Sequence, residues 1–323
     1  MVVISTVLAT FGLEWAIHWL HPITTAYRWD AATDYRLKPD LDITFATNEF
    51  RTRIQTNGHG LRDVAWSATE SRPVILVLGD SFAFGHGVEG SESFPSRLQS
   101  ALKSEARVVN AGHPGWDTRR ELAFLAGEGR QFAPRLVIAG IVLNDFLANS
   151  GGFRFAPTAT GPLRYLPFPA IATTLEYLTT DPRFVLFRLG FDVTYGAVDH
   201  MDCLRPSRCS EGWRATGQLL TELAAETRRQ GAELLVVHLP THPEVAQLAD
   251  LAPYEPALAR TRLATLAAER GVAFLDLAAT VPFGDGHFIP RDGHWTARGH
   301  QSAADGTLSS VRRLLGEARK PTP

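Results

Sequence analysis

The chain has 323 residues, 45% of them hydrophobic and 20% charged, and its 32 basic residues are balanced by 34 acidic ones to a net charge of -2. High apolar content with so little net charge excludes disorder as the main state, and balanced charge without a basic block excludes a binder driven by electrostatic attraction to nucleic acid. No internal apolar run approaches the roughly 20 residues needed to span a bilayer, which excludes a polytopic membrane protein.

The first segment, residues 1–23, reads in two ways. Residues 1–13 are uncharged and mostly apolar, and Glu14, His18 and His21 then interrupt the run. As a helix that run is about 20 Å long, short of a hydrocarbon core of roughly 30 Å. The first basic residue is Arg28, so the positive start of a secretory signal is missing. The segment is either an amphipathic helix packed on the domain or the end of a membrane anchor that starts upstream. Residues 24–72 form a polar, irregular N-terminal extension, with one strand expected over 51–56 before the Asn57-Gly58 turn.

Strands and helices then alternate. Continuous apolar, β-branched runs at 74–78 and 136–142 read as buried parallel strands. Shorter strands are expected at 107–109, 234–238 and 272–277. Helical spacing covers 94–103, 118–129 with Asp117 as N-cap, 213–229, 256–270 and 296–318. Five strands alternating with helices predict an α/β domain over 73–318, its parallel sheet covered on both faces. Residues 146–210, rich in Phe, Pro, Gly and Tyr, break the rhythm as an insertion after the third strand. Cys203 and Cys209 lie close together within it, either as two unpaired thiols in a surface loop or as a pair that implies an oxidising compartment; the expected location is periplasmic, secreted or membrane-anchored facing outward, with a cytoplasmic one the alternative.

In such sheets ligands sit beyond the C-terminal ends of the strands. Gly79-Asp80-Ser81-Phe82 follows the first strand and Asn110 to Trp116 the second. Leu143-Asn144-Asp145 follows the third, and Asp292-Gly293-His294 lies after the fifth. A hydroxyl, an amide and a carboxylate–imidazole pair on one edge are the inventory for acyl transfer through a serine. Ser81 is the candidate nucleophile and His294 the base that takes its proton near neutral pH. Asp292 lies two residues from His294, and on extended backbone the two side chains face the same way, so it can hold the second ring nitrogen. The N–H of Ser81, the N–H of Gly115 and the amide of Asn144 are candidate oxyanion donors. Asp80 reads as a structural carboxylate, and Asn110 as a brace at the strand end.

On these blocks the chain resembles the SGNH/GDSL hydrolase superfamily, in particular its bacterial branch of esterases and O-acyltransferases with a Gly60-Leu61-Arg62-Asp63 segment before the nucleophile strand. The similar stretches are 77–88, 110–118, 144–145 and 292–300. The resemblance implies a three-layer flavodoxin-like fold, with a five-stranded parallel sheet in the order 2-1-3-4-5 and helices on both faces. It also implies a Ser–His–Asp site and esterase, lipase or acyltransferase activity without a cofactor. Two departures stand out. Val142 occupies a position where many members have glycine, and one residue rather than two separates Asp292 from His294. The second departure makes Asp285, in an earlier Asp-Gly-His, a rival orienting group.

Other motifs carry blander readings. Gly85 to Gly90 spells GxGxxG, but it starts several residues past the strand and lacks an acidic ribose partner, so dinucleotide binding is rejected. His238 and His242 are four apart, yet Pro240 between them breaks any shared helical face, and no metal is expected. His300 packs or caps the last helix. Trp116, Trp295 and His242 are candidate substrate contacts, with core packing the alternative for the two indoles. The expected function is hydrolysis of an acyl ester, such as that of an O-acetylated carbohydrate. The alternatives are an O-acyltransferase of envelope polysaccharide with the same residues, or a catalytically silent binding module. Expected partners are a small-molecule or carbohydrate ester and, through residues 1–20, a membrane; nucleic acid is not expected.

Overall fold

The structure, a computed structural model, describes residues 2–20, 22–67, 69–151, 161–180, 201–205, 208–245 and 254–317. Helix α1 (Val2–Leu20) comes first. Four short strands follow, β1 (Tyr27–Asp30), β2 (Asp34–Leu37), β3 (Asp42–Ala46) and β4 (Arg51–Gln55), paired as two antiparallel hairpins. Residues 27–55 are therefore two hairpins, more regular than the sequence suggested, while 56–67 and 69–72 hold no helix or strand. In β4 only Thr52 and Ile54 point inward while Arg51, Arg53 and Gln55 are exposed. Strands of four or five residues with one wet face carry too little apolar signal to stand out.

The alternating pattern forms as expected. Strand β5 (Val74–Leu78) is fully buried, and β6 (Arg107–Asn110), β7 (Leu136–Ile141), β8 (Glu233–His238) and β9 (Ala273–Asp276) complete one sheet in the order β6-β5-β7-β8-β9. Every neighbouring pair is parallel, so counted within the sheet the order is 2-1-3-4-5, the doubly wound flavodoxin-like arrangement. The connecting helices are α2 (Ser81–Phe84), α3 (Phe94–Leu102), α4 (Thr118–Ala126), α5 (Leu143–Asn149), α6 (Pro169–Thr180), α7 (Ser210–Arg229), α8 (His242–Val245), α9 (Leu258–Glu269), α10 (Leu277–Thr280) and α11 (Ala297–Glu317).

The alternation of side chains along each strand builds two cores. Leu76, Val137 and Val236 face one layer, with Phe124 of α4, Phe146 of α5, Leu220 of α7 and Leu263 of α9. Ile75, Ile138 and Val237 face the other, with Leu98 of α3 and Ala303, Val311 and Leu314 of α11. The hairpins extend the first core through Tyr35, Leu37 and Ile54. Val142, the departure from the family pattern, is fully buried in the second core.

Cys203 and Cys209 are joined in a disulfide just before α7. Within the insertion 146–210, residues 152–160, 181–200 and 206–207 lie outside the described residues. Helix α1 does pack on the rest of the chain, against α6, but it is not amphipathic. Leu8, Phe11, Trp15 and Trp19 are all exposed. Its one carboxylate, Glu14, accepts hydrogen bonds from the N–H groups of Ala170 and Ile171 at 2.8 and 2.9 Å, capping the start of α6. Among the described residues no helix is long and apolar enough to cross a membrane.

Candidate active site

The turn from β5 into α2 presents Ser81. Gly79 begins it, and a Cβ there would lie 2.7 Å from the Cβ of Ala83 and 3.3 Å from the carbonyl oxygen of Gly140. Asp80 caps α2, its Oδ1 accepting from the N–H of Phe82 at 2.9 Å. Ser81 is the first helical residue, and its Oγ stands 2.7 Å from His294 Nε2. The two residues are 213 positions apart in the chain.

His294 and Asp292 come from a tight turn between β9 and α11. The N–H of Gly293 donates to the Ile289 carbonyl, and that of Ile289 to the His294 carbonyl, both at 2.8 Å. Gly293 adopts φ +82°, a left-handed conformation that favours glycine. The backbone is therefore not extended here, contrary to the geometry assumed from the spacing. The carboxylate reaches the imidazole all the same: Asp292 Oδ1 lies 2.5 Å from His294 Nδ1 and also accepts from the His294 N–H at 3.2 Å. The rival Asp285 is turned away. Its side chain is almost fully exposed, and its partner at 3.3 Å is His242 Nε2.

Asn144 is the second residue of α5, and its Nδ2 donates to Asp80 Oδ2 at 3.0 Å. Asp80 thus ties the nucleophile helix to the amide, a link the sequence did not disclose. Asp145 accepts from the N–H of Val142 at 2.8 Å and holds the start of the same helix. Gly115 turns the loop after β6 with φ +73°. That loop leans on α2, because a Cβ on Gly112 would meet the Phe84 backbone nitrogen at 2.5 Å. It is fastened on the other side by the Tyr35 hydroxyl, which donates to the Pro114 carbonyl at 3.1 Å. Asn110 braces the same loop, its Oδ1 accepting from the N–H of Gly112 at 3.0 Å.

The two tryptophans are not substrate contacts. Trp116 is 1% exposed and stacks on His113, with its Nε1 donating to the Tyr35 carbonyl at 3.3 Å. Trp295 is 0% exposed, and its Nε1 donates to the Pro240 carbonyl at 3.0 Å. Burial of such large apolar rings outweighs any gain from exposing them beside the site. His242 starts α8 and packs edge-on to Phe288, with Asp285 as its polar partner. His300 is buried and accepts from the N–H of Phe94 at 3.1 Å, joining α11 to α3.

Two supports were legible only in part. The Gly60-to-Asp63 segment supplies Arg62, whose buried guanidinium donates to the carbonyls of Gly85, Val88 and Arg53 at 2.5, 2.8 and 2.8 Å. Burial pulls it down to about 10. The segment also supplies Asp63, which accepts from Arg107 and from the N–H of Asn110, both at 2.9 Å. The residue that sequence reasoning missed is His86. Its Nε2 lies 3.3 Å from Asp292 Oδ2, and its ring centroid is 4.3 Å from that of His294. The signal was present, a histidine five residues after the nucleophile inside the glycine-rich motif, but nothing in linear order links it to residue 292.

The electrostatics follow from this packing. Burial opposes the charge on Asp292, but His294 and His86 outweigh it and hold the carboxyl well below the usual range. Burial likewise opposes a proton on His294, and the Asp292 carboxylate outweighs it, so the imidazole is raised above 6.5. Burial raises Asp80, against the hydrogen bonds from Phe82 and Asn144. His86, Asp292 and His294 are the one group of metal-ligand type among the described residues. Asp292 Oδ1 and His294 Nδ1 are in direct contact at 2.5 Å. An ion bonded to both at about 2 Å would hold them roughly 3 Å apart or more. The arrangement is that of a hydrogen-bonded relay, in which a hydroxyl, an imidazole and a carboxylate stand in line.

The model of the GDSL-like lipase/acylhydrolase family matches residues 77–302. A curated relative, thioesterase 1/protease 1/lysophospholipase L1 of Escherichia coli K12, is 34% identical over 73 residues, which is 23% of this chain. The chain spans 35% of the length of that relative. Similar solved structures include TesA, with a TM-score of 0.47 and 18% identity over 75% of this chain and 99% of that one. The psychrotrophic esterase EstA of Pseudoalteromonas sp. has a TM-score of 0.47 and 14% identity, over 75% of this chain and 98% of that one.

Proposed function

This chain belongs to the GDSL-like lipase/acylhydrolase family, a family of ester-bond hydrolases, and we propose that it cleaves an acyl ester through an acyl-enzyme on Ser81. The observation that carries the reading is the unbroken line from Ser81 Oγ to His294 Nε2 at 2.7 Å and from His294 Nδ1 to Asp292 at 2.5 Å. His294 takes the Ser81 proton on Nε2 as Oγ attacks the substrate carbonyl carbon. Asp292 stabilises the imidazolium and fixes its tautomer. The charge that forms on the carbonyl oxygen goes to the N–H groups of Ser81 and Gly115 and the amide of Asn144, the last oriented by Asp80. As the carbon–oxygen bond to the alcohol breaks, His294 returns the proton to the leaving oxygen. It then deprotonates a water that attacks the acyl-enzyme carbonyl carbon, and passes that proton to Ser81 Oγ as the acyl–Oγ bond breaks, releasing the acid and free Ser81.

Ser81→Ala removes the nucleophile and is expected to abolish both ester turnover and labelling by a serine-reactive phosphonate; labelling at the wild-type level in that variant would overturn the assignment. A panel of short- and long-chain aryl esters with acetylated sugars tests an O-acetylated carbohydrate as substrate within this class. Adding a glycan acceptor to the same assay separates release of free acid from acyl transfer.

The Cys203–Cys209 disulfide supports a location in an oxidising compartment. The exposed apolar surface of α1 and α6, which includes Leu8, Trp15, Trp19 and Leu178, supports seating on a lipid surface.

A further inference from the structure

Asp292 serves two imidazoles. Its Oδ1 faces His294 Nδ1 at 2.5 Å, and its Oδ2 lies 3.3 Å from His86 Nε2. Local structure fixes where His86 stands. Its N–H donates to the Ser81 carbonyl at 3.0 Å, and it is flanked by Gly85 and Gly87, both at positive φ. Its ring packs edge-on to Phe45 at 5.4 Å and Phe50 at 5.2 Å, both from the second hairpin, and lies 4.3 Å from the ring of His294.

The terminal torsion of an aspartate is broad and soft. With one residue between Asp292 and His294, the turn restrains Oδ1 through the ring and the backbone N–H of His294 and leaves Oδ2 to another partner. We infer that His86 is a positioning residue of this hydrolase: its Nε2–H donates to Asp292 Oδ2 and holds the carboxylate so that Oδ1 stays aimed at His294 Nδ1. The inference rests on the reading of Ser81, His294 and Asp292 as the reacting set. It accounts for how the shortened Asp-Gly-His spacing still yields an aligned carboxylate, through a donor supplied from the nucleophile side of the site.

The charges around His86 suit a neutral donor. It faces Asp292 and His294 from the turn before α11 and Arg62 from the loop after β4. Burial and the positive charge on His294 lower its proton affinity, with Arg62 acting in the same sense. When His294 takes the proton from Ser81, a second cation beside it is opposed, so one carboxylate is shared by one imidazolium and one neutral ring.

The test compares donor with ring. His86→Phe keeps an aromatic ring against Phe45, Phe50 and His294 and removes the donor; His86→Gln keeps an N–H at a similar reach. With an aryl acetate, His86→Phe is expected to lose about tenfold or more in kcat with KM changed by less than about twofold, and His86→Gln to regain most of that loss. His86→Met, which lacks the donor without a ring, gives the same comparison if the Phe variant does not fold. A donor-free variant within about twofold of wild-type kcat would overturn the inference, as would equal losses in the donor-free and Gln variants. Phosphonate labelling of the wild type separates the two levels. Wild-type Ser81 that resists labelling brings down the acyl-enzyme reading and this inference with it; labelled Ser81 beside unaffected donor-free variants brings down only the role of His86.

Discussion

His294 illustrates how neighbours set the working range of a side chain. An imidazole with an ordinary affinity would lose its base character below about pH 6.5. Here the Asp292 carboxylate overcomes burial and raises it. A base must be unprotonated to act, so kcat/KM is expected to fall as pH drops, with the midpoint of that acid limb above 6.5. A pH–rate profile with an aryl acetate checks this; a midpoint near 6 or below would mean that the carboxylate does not hold the imidazole in the working enzyme. At this scale Ser81 and Asn144 were legible as candidates because each directly follows a strand that its own residues announce, and His294 because its Asp-Gly-His stands before the last helix, whereas the choice of Asp292 over Asp285 needed the packed chain. His86 was not legible, since its partner lies more than 200 positions away and only packing joins them. The link from Asp80 to Asn144 escaped for the same reason.

The elements divide by how many of their faces are buried. Strands β5 and β7 are buried on both faces and read as unbroken apolar runs. Strands β3 and β4 each present a wet face, and in β2 the buried Arg36 interrupts the apolar run, so polar residues concealed these strands. Helix α1 inverts the usual logic, because it is apolar around its circumference yet exposed. Its one carboxylate is spent on capping α6, and Trp15 and Trp19 stack with ring centroids 6.3 Å apart on the surface. Such a surface is much larger in apolar area than a lone exposed side chain requires. The protein is expected to float with phosphatidylcholine vesicles in a density gradient, and Trp15→Ser with Trp19→Ser to reduce that fraction. Protein that stays wholly in the dense fractions would remove lipid from its partners. The sequence allowed two readings of residues 1–23 because the apolar count says nothing about which side chains the rest of the chain covers.

Across the molecule, buried histidines bound the pH range of the fold from both sides. His238 ends β8 with its Nε2 2.8 Å from Glu244 and its Nδ1 3.2 Å from Asp276 on β9. Burial opposes its charge, but the two carboxylates outweigh it and push it up to about 9. A histidine raised in the folded state contributes stability that is fully present below its unfolded value near 6.5 and is lost as pH rises through about 9. His113 and His300 are depressed by burial to about 3, so their contribution is present above 6.5 and is lost as pH falls toward 3. The wild type is therefore expected to lose more stability than His238→Gln between pH 6.5 and 9, by about 3 kcal/mol at most. Urea unfolding of both proteins at the two pH values measures the difference; parallel losses would remove His238 from the account.

The alternation of five strands with helices, the serine after the first strand and the Asp-Gly-His before the last helix were set by the order of residues alone, because apolar periodicity and turn chemistry act over a few neighbouring positions. The tertiary structure decided which carboxylate faces His294, that Trp116 and Trp295 are interior, that His86 stands 3.3 Å from that same carboxylate, and that α1 keeps its apolar surface outside. Burial, and a hydrogen bond between residues 213 positions apart, belong to the packed chain and have no counterpart in any short stretch of it.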